Sequence, residues 1–157
     1  MAVRQIRVIG DEILNKKCKP VKEMTDRTKE LIEDMFETMY EANGVGLAAP
    51  QIGVNLRLFV IDVLTGDEPL RPMVFINPKI IKKSGAILSQ EGCLSFPEAY
   101  TNVRRYKNVM VKAIDRNGKP FVLEAKDGTL LARCIQHEND HLDGVLSVSY
   151  THLTLPT

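Results

Sequence analysis

The sequence predicts an α+β domain in which mixed or antiparallel β-sheets pack around a central helix that carries a metal-binding motif. Three observations lead there. An amphipathic segment near the N-terminus has helical period, several β-branched segments in mid-chain have strand character, and a second amphipathic segment near the C-terminus again has helical period. Helix, then strands, then helix is the order of an α+β domain, not of repeated βαβ units.

The first helix runs from about Thr25 to Ala42. Thr25 can cap its start, and Leu31, Ile32, Met35, Phe36, Met39 and Tyr40 recur at helical spacing as a core-packing stripe. Asn43-Gly44 supplies a C-terminal stop. Asn55 to Val63, Met73 to Ile76 and Lys79 to Lys83 are β-branched and aromatic enough to be strands. Asn108 to Asp115 and Pro120 to Ala125 flank Asn117-Gly118, a strong hairpin signal. The second helix starts near Asp127 and ends at Gly144, with Leu130, Leu131, Cys134, Ile135 and Leu142 on or near its buried side.

Composition narrows the function classes. The chain has 157 residues, one domain's length, with 44% apolar and 26% charged residues. A net charge of +1 gives no footprint for nucleic acid or anionic membrane, and the pair Arg104-Arg105 reads as a solvated edge. No stretch is apolar enough for a signal peptide or a membrane span, so a cytoplasmic location is the default. Three widely spaced cysteines argue against a disulfide framework and leave core, ligand or nucleophile roles for each.

The chemistry concentrates in Gln136-His137-Glu138-Asn139-Asp140-His141 on the second helix. Two histidines four apart on a helix differ by about 40° in direction and about 6 Å along the axis, so both imidazoles can reach one ion. Glu138 stands beside the first ligand, where a carboxylate can take a proton from water on the metal. Hydrolytic sites of this kind use three protein ligands and one open position. Metzincin proteases extend the motif to a third histidine, but this chain follows that pattern through Gly144 and then has Ser147. His152 is the sole downstream imidazole. The third ligand is therefore expected upstream, and a thiol is the strongest candidate. Cys134 lies about 4.5 Å below His137 along the same helix and reads as a packed neighbour. Cys18 reads as structural or incidental. Cys93 lies in Gln90-Glu91-Gly92-Cys93-Leu94-Ser95, where Gly92 permits close backbone approach and Glu91 could orient a ligand or pair with a cation.

Three segments together resemble the signature motifs of the peptide deformylase family. They are Gly44-Val45-Gly46-Leu47-Ala48-Ala49-Pro50-Gln51, Glu91-Gly92-Cys93-Leu94-Ser95 and Gln136-His137-Glu138-Asn139-Asp140-His141, in the family's order. The resemblance extends to about Leu146 and implies that Cys93, His137 and His141 bind a metal and that Glu138 is the general base. It implies further that Gln51 and the Leu94 backbone amide hold the oxygen that becomes negative. Such a reaction removes the formyl group from the N-formylmethionyl end of a nascent polypeptide, releasing formate. The family pattern puts the methionine pocket around Val45, Leu130, Arg133, Cys134 and His137, with the head of Arg133 outward and its stem at the rim. Gly44, Val45 and Gly46 would let an extended peptide lie close to the backbone. Two imidazoles and a thiolate suit Zn2+ and accept Fe2+, Co2+ or Ni2+; the resemblance favours Fe2+. A monomer with no membrane and no specific nucleic-acid site is expected, and the resemblance allows a transient ribosome contact.

The match fails at the end. Residues 147–157, neutral and rich in Ser and Thr, lack the acidic strand expected there, and we read them as foreign sequence joined to a domain of residues 1–146. Two other readings compete. One is a zinc endopeptidase, against which Ser147 and Cys93 both argue. The other is a metal-stabilised binding domain, which would need a fourth protein ligand that the sequence does not offer.

Overall fold

The computed structural model describes residues 2–8, 10–63 and 72–145, with the backbone alone at 96–101. Ser147, His152 and the segment 147–157 lie outside the described residues. Among the described residues two α-helices, α1 (Asp26–Glu41) and α2 (Leu130–Leu142), frame seven strands. These are β1 (Gly46–Ala48), β2 (Leu58–Ile61), β3 (Met73–Ser84), β4 (Ile87–Cys93), β5 (Phe96–Arg105), β6 (Asn108–Ile114) and β7 (Pro120–Ala125). Five form an antiparallel sheet in the order β1-β2-β3-β6-β7, and β4-β5 form a separate two-stranded ribbon. The expected α+β class holds.

The helices lie on opposite faces of the large sheet, and β2 shows why its sequence does not alternate. Leu58 and Val60 join the cluster against α1, with Leu31, Ile32, Met35, Phe36 and Met39. Phe59 and Ile61 point to the other face and join Phe75, Val111, Ile135 and Leu142 against α2. A strand covered on both sides must be apolar at every position. Phe59 and Phe75 stack with ring centroids 4.7 Å apart, and Phe75 meets Phe121 at 5.6 Å. Phe75→Ala is expected to cost about 3–5 kcal/mol of folding stability, read as a lower denaturant midpoint, because the cavity would open at the centre of this aromatic cluster.

Local chemistry explains the boundaries. Thr25 Oγ1 accepts from the Thr28 amide at 3.2 Å and starts α1. At the other end the Asn43 amide donates to Tyr40 and the Gly44 amide to Met39, a Schellman closure with Asn43 at φ 58°. Tyr40 departs from the expected stripe. It is 44% exposed, and its hydroxyl donates to the buried carboxylate of Asp62. The two strands expected on either side of Asn77-Pro78 are one strand, β3, carried through a bulge with Asn77 at φ 51°. Asn77 fixes that bulge by exchanging two 2.8 Å bonds with the Val21 backbone.

The hairpin is present between β6 and β7, but its turn is longer than a two-residue loop. The Gly118 amide donates to Asp115, Gly118 alone takes positive φ, and Asp115 Oδ1 accepts from the Asn117 and Lys119 amides. Helix α2 begins later than Asp127 because Asp127 and Gly128 both sit at positive φ (61° and 63°). Thr129 is its cap, accepting from Ala132 at 3.3 Å.

Candidate active site

The metal motif sits on α2, wedged between the large sheet and the β4-β5 ribbon. Cys93 at the end of β4 meets both histidines there. One donor atom from each of Cys93, His137 and His141 falls within 4.8 Å of the others, and Cys93 Sγ is 3.3 Å from His141 Nε2. The imidazoles meet edge-on, with centroids 4.9 Å apart. This donor set fits a divalent ion of the zinc or ferrous class. The protein fit goes further. His137 Nδ1 is 2.9 Å from Glu91 Oε1, which leaves Nε2 for the cluster, as second partners of metal-binding histidines commonly do.

Arg105 closes this arrangement from behind. Its Nε and Nη2 donate to the two oxygens of Glu91 at 2.9 and 2.7 Å, and Nη1 donates to Asp140 at 2.5 Å. Only 6% of Arg105 is exposed, so the solvated edge expected of Arg104-Arg105 is wrong for its second member. Strand alternation turns Arg105 inward and Arg104 out. Burial disfavours the Glu91 carboxylate, but hydrogen bonds from Arg105 and His137 outweigh it and hold its pKa at about 2. Burial also opposes charge on His137, yet bonds to Cys93 and Glu91 raise it to about 10. For His141 burial, and then the charge of His137, push the pKa well below its usual value.

Glu138 faces the opposite wall. It is 4% exposed, and its Oε1 has no hydrogen-bond partner among the described residues. Burial is the main force raising its pKa to about 7. A Cβ on Gly46 would lie 2.6 Å from Glu138 Oε2, so any side chain at this strand position would push the Glu138 carboxylate from its place. Gln51, on a 3₁₀ turn that Pro50 helps to start, is fully buried. Its Oε1 accepts from the Ala48 amide at 2.9 Å, which turns Nε2 toward Ser95 Oγ at 3.2 Å and Cys93 Sγ at 3.7 Å.

These walls enclose a cavity of about 530 Å³. Gly44, Val45, Gly46, Gln51, Cys93, Leu94, Leu130, Arg133, Cys134, His137 and Glu138 all line it, so every residue expected at the site is there except His141. His141 lies beneath the floor at 2% exposure, beside Cys93. The side chain of Leu94 closes over Gly44. Arg133 does not simply point outward. Its Nε reaches the Gly128 carbonyl at 3.1 Å and Nη1 reaches Ser89 Oγ at 3.5 Å. Burial raises the Cys134 thiol to about 12, consistent with packing, and Cys18 is core-buried, its amide on the Leu142 carbonyl.

Comparison with known proteins gives the same family. The polypeptide deformylase profile matches residues 3–154. Peptide deformylase 1 of Clostridium perfringens is 51% identical over 150 residues, covering 96% of this chain and 99% of that protein. The crystal structure of a peptide deformylase from Legionella pneumophila superposes with TM-score 0.88 at 50% identity, over 94% of this chain and 85% of that one. A deformylase from Synechococcus elongatus, solved in complex with actinonin, gives TM-score 0.84 at 46% identity over 91% and 75%.

The chain belongs to the polypeptide deformylase family. It is a metal-dependent hydrolase that removes the N-formyl group from nascent polypeptides. Sequence reasoning missed Arg105, Asp140 and Ser95 at the enzyme's site. Arg105 carries only a faint local signal, its spacing of two residues from the buried Val103 in β5. Asp140 was readable in principle, since it lies three residues after His137 on the same helix.

Proposed function

We propose that Cys93, His137 and His141 hold the divalent ion and that Glu138, Gln51 and the Leu94 amide carry the hydrolysis around it. The observation that carries this reading is the convergence of one thiol and two imidazoles within 4.8 Å beside the buried Glu138 carboxylate, whose Oε1 has no hydrogen-bond partner among the described residues. When bound, the ion supplies Lewis-acid chemistry, acidifying water and polarising the formyl carbonyl. Glu138 takes the proton of the attacking water and returns it to the leaving amine nitrogen. Gln51 Nε2 and the Leu94 N–H donate to the oxyanion that forms.

Val45, Leu130, Arg133, Cys134 and His137 surround the methionine side chain, and the backbone from Gly44 to Gly46 guides the extended peptide. We read the resident ion as Fe2+, with Zn2+, Ni2+ or Co2+ accepted by the same donors. Protein prepared without oxygen is expected to carry about one iron per chain by elemental analysis and to release formate from a formyl-Met peptide. Stripping the ion with a chelator should abolish turnover, and re-adding a divalent metal should restore it. Cleavage within an unformylated peptide would instead support the endopeptidase reading.

The reading extends to a monomer working in the cytoplasm, in transient contact with the ribosome that makes its substrate. Among the described residues no helix is long and apolar enough to cross a membrane. We keep residues 1–146 as the catalytic domain and 147–157 as foreign sequence, although the family match continues to residue 154. Sequencing the source locus past Leu146 decides this, and an uninterrupted native frame through Thr157 would overturn it.

A further inference from the structure

The three proposed ligands come from two bodies that share no strand pairing. Cys93 belongs to the β4-β5 ribbon, whose strands do not pair with those of the large sheet, and both histidines belong to α2. A site built across such a seam needs the ribbon and the helix to be held in register to within a fraction of an ångström. Arg105 is placed to do this. From β5 it grips Glu91 on the neighbouring strand with two parallel bonds, and it grips Asp140 on α2 with its remaining nitrogen. Its Nη2 also passes 3.4 Å from His137 Nδ1.

The order of these contacts matters. Glu91 can accept from His137 Nδ1 only while its carboxylate is turned toward the ring. Two acidic groups, Glu91 and Asp140, approach the same buried cation, and without it they would repel each other and turn away. A guanidinium supplies both the charge and the planar fork that fixes the carboxylate's orientation. Glu91 held in this way engages Nδ1 of His137 and so turns Nε2 to the side of Cys93.

We propose that Arg105 is a positioning residue for the metal centre: through Glu91 it sets the tautomer and angle of His137, and through Asp140 it locks the ribbon bearing Cys93 onto the helix. This inference rests on the reading of Cys93, His137 and His141 as ligands, and the test separates the two.

Metal-free protein is titrated with zinc against a chelating competitor, for the wild type and for Arg105→Lys, Arg105→Met, Glu91→Gln and the double variant Arg105→Met/Glu91→Gln. Arg4→Met serves as control, because it breaks another ion pair, Arg4–Asp34, that holds the N-terminal segment on α1. Both Arg105 single variants are expected to weaken zinc binding roughly 10- to 100-fold, as loss of a ligand's supporting partner does. The double variant should be no weaker than the worse of its two single changes, because both act through one contact chain. Arg4→Met should lower the thermal midpoint while zinc affinity stays within about twofold.

Should Arg105→Met fail to fold, Arg105→Lys and the charge-balanced double variant carry the test. Zinc affinity within about twofold of wild type in the variants that fold would overturn the proposal, whatever happens to the melting temperature. His137→Ala distinguishes the underlying reading. If it still binds zinc as the wild type does, the ligand assignment itself is wrong. If it loses zinc while the Arg105 variants do not, only the positioning role falls.

Discussion

Glu138→Gln is expected to lower kcat for formyl-peptide hydrolysis roughly a hundredfold to ten-thousandfold while metal content stays at about one ion per chain. The substitution keeps the shape of a side chain that already packs against Gly46. It removes only the ability to take a proton and give it back. The carboxylate is well placed for that task, being buried in the cavity wall with Oε1 unengaged by any donor among the described residues. A purely structural carboxylate would hold bonds to its neighbours, and its loss would appear as a lower melting temperature with normal turnover. Formate release at saturating substrate, measured beside elemental analysis, separates these outcomes. A kcat within about tenfold of wild type at full metal occupancy would remove Glu138 from the proposed role.

The elements that were legible in the sequence are those whose buried face is apolar. Leu31, Ile32, Met35, Phe36 and Met39 announce α1 because each meets the sheet, and the same holds for Cys134, Ile135 and Leu142 on α2. Strand β4 was not legible, for a physical reason. Its shielded position Ser89 and its site-facing positions Glu91 and Cys93 are polar, while Leu88 is 69% exposed. The alternation a half-buried strand normally shows is thus absent where the strand builds the site. Strand β1, three buried residues long, is too short to show any period. The ligands and base were readable because a helix places residues four apart on one face by its own geometry. Arg105 was not, since the alternation that separates it from Arg104 rests on a single apolar neighbour, Val103, in a strand with no clear apolar period.

Gln51→Glu is expected to reduce kcat roughly a hundredfold to a thousandfold, about 2.7–4 kcal/mol in the barrier, with metal retained. The side-chain amide is oriented by the fold. Its oxygen is committed to the Ala48 amide, so its nitrogen must face Cys93 and Ser95 at the cavity. Glutamate preserves the volume and the acceptor for Ala48, but it puts an oxygen where the donor stood. The developing oxyanion then meets repulsion on one side and keeps only the Leu94 N–H on the other, which is why activity should fall without vanishing. The effect belongs in kcat rather than KM, because the negative oxygen exists only as the bond to water forms. If Gln51 merely braced the 3₁₀ turn against Ser95, the variant would melt earlier and turn over normally. A loss of stability with kcat intact would therefore leave the Leu94 amide as the sole oxyanion donor in this mechanism.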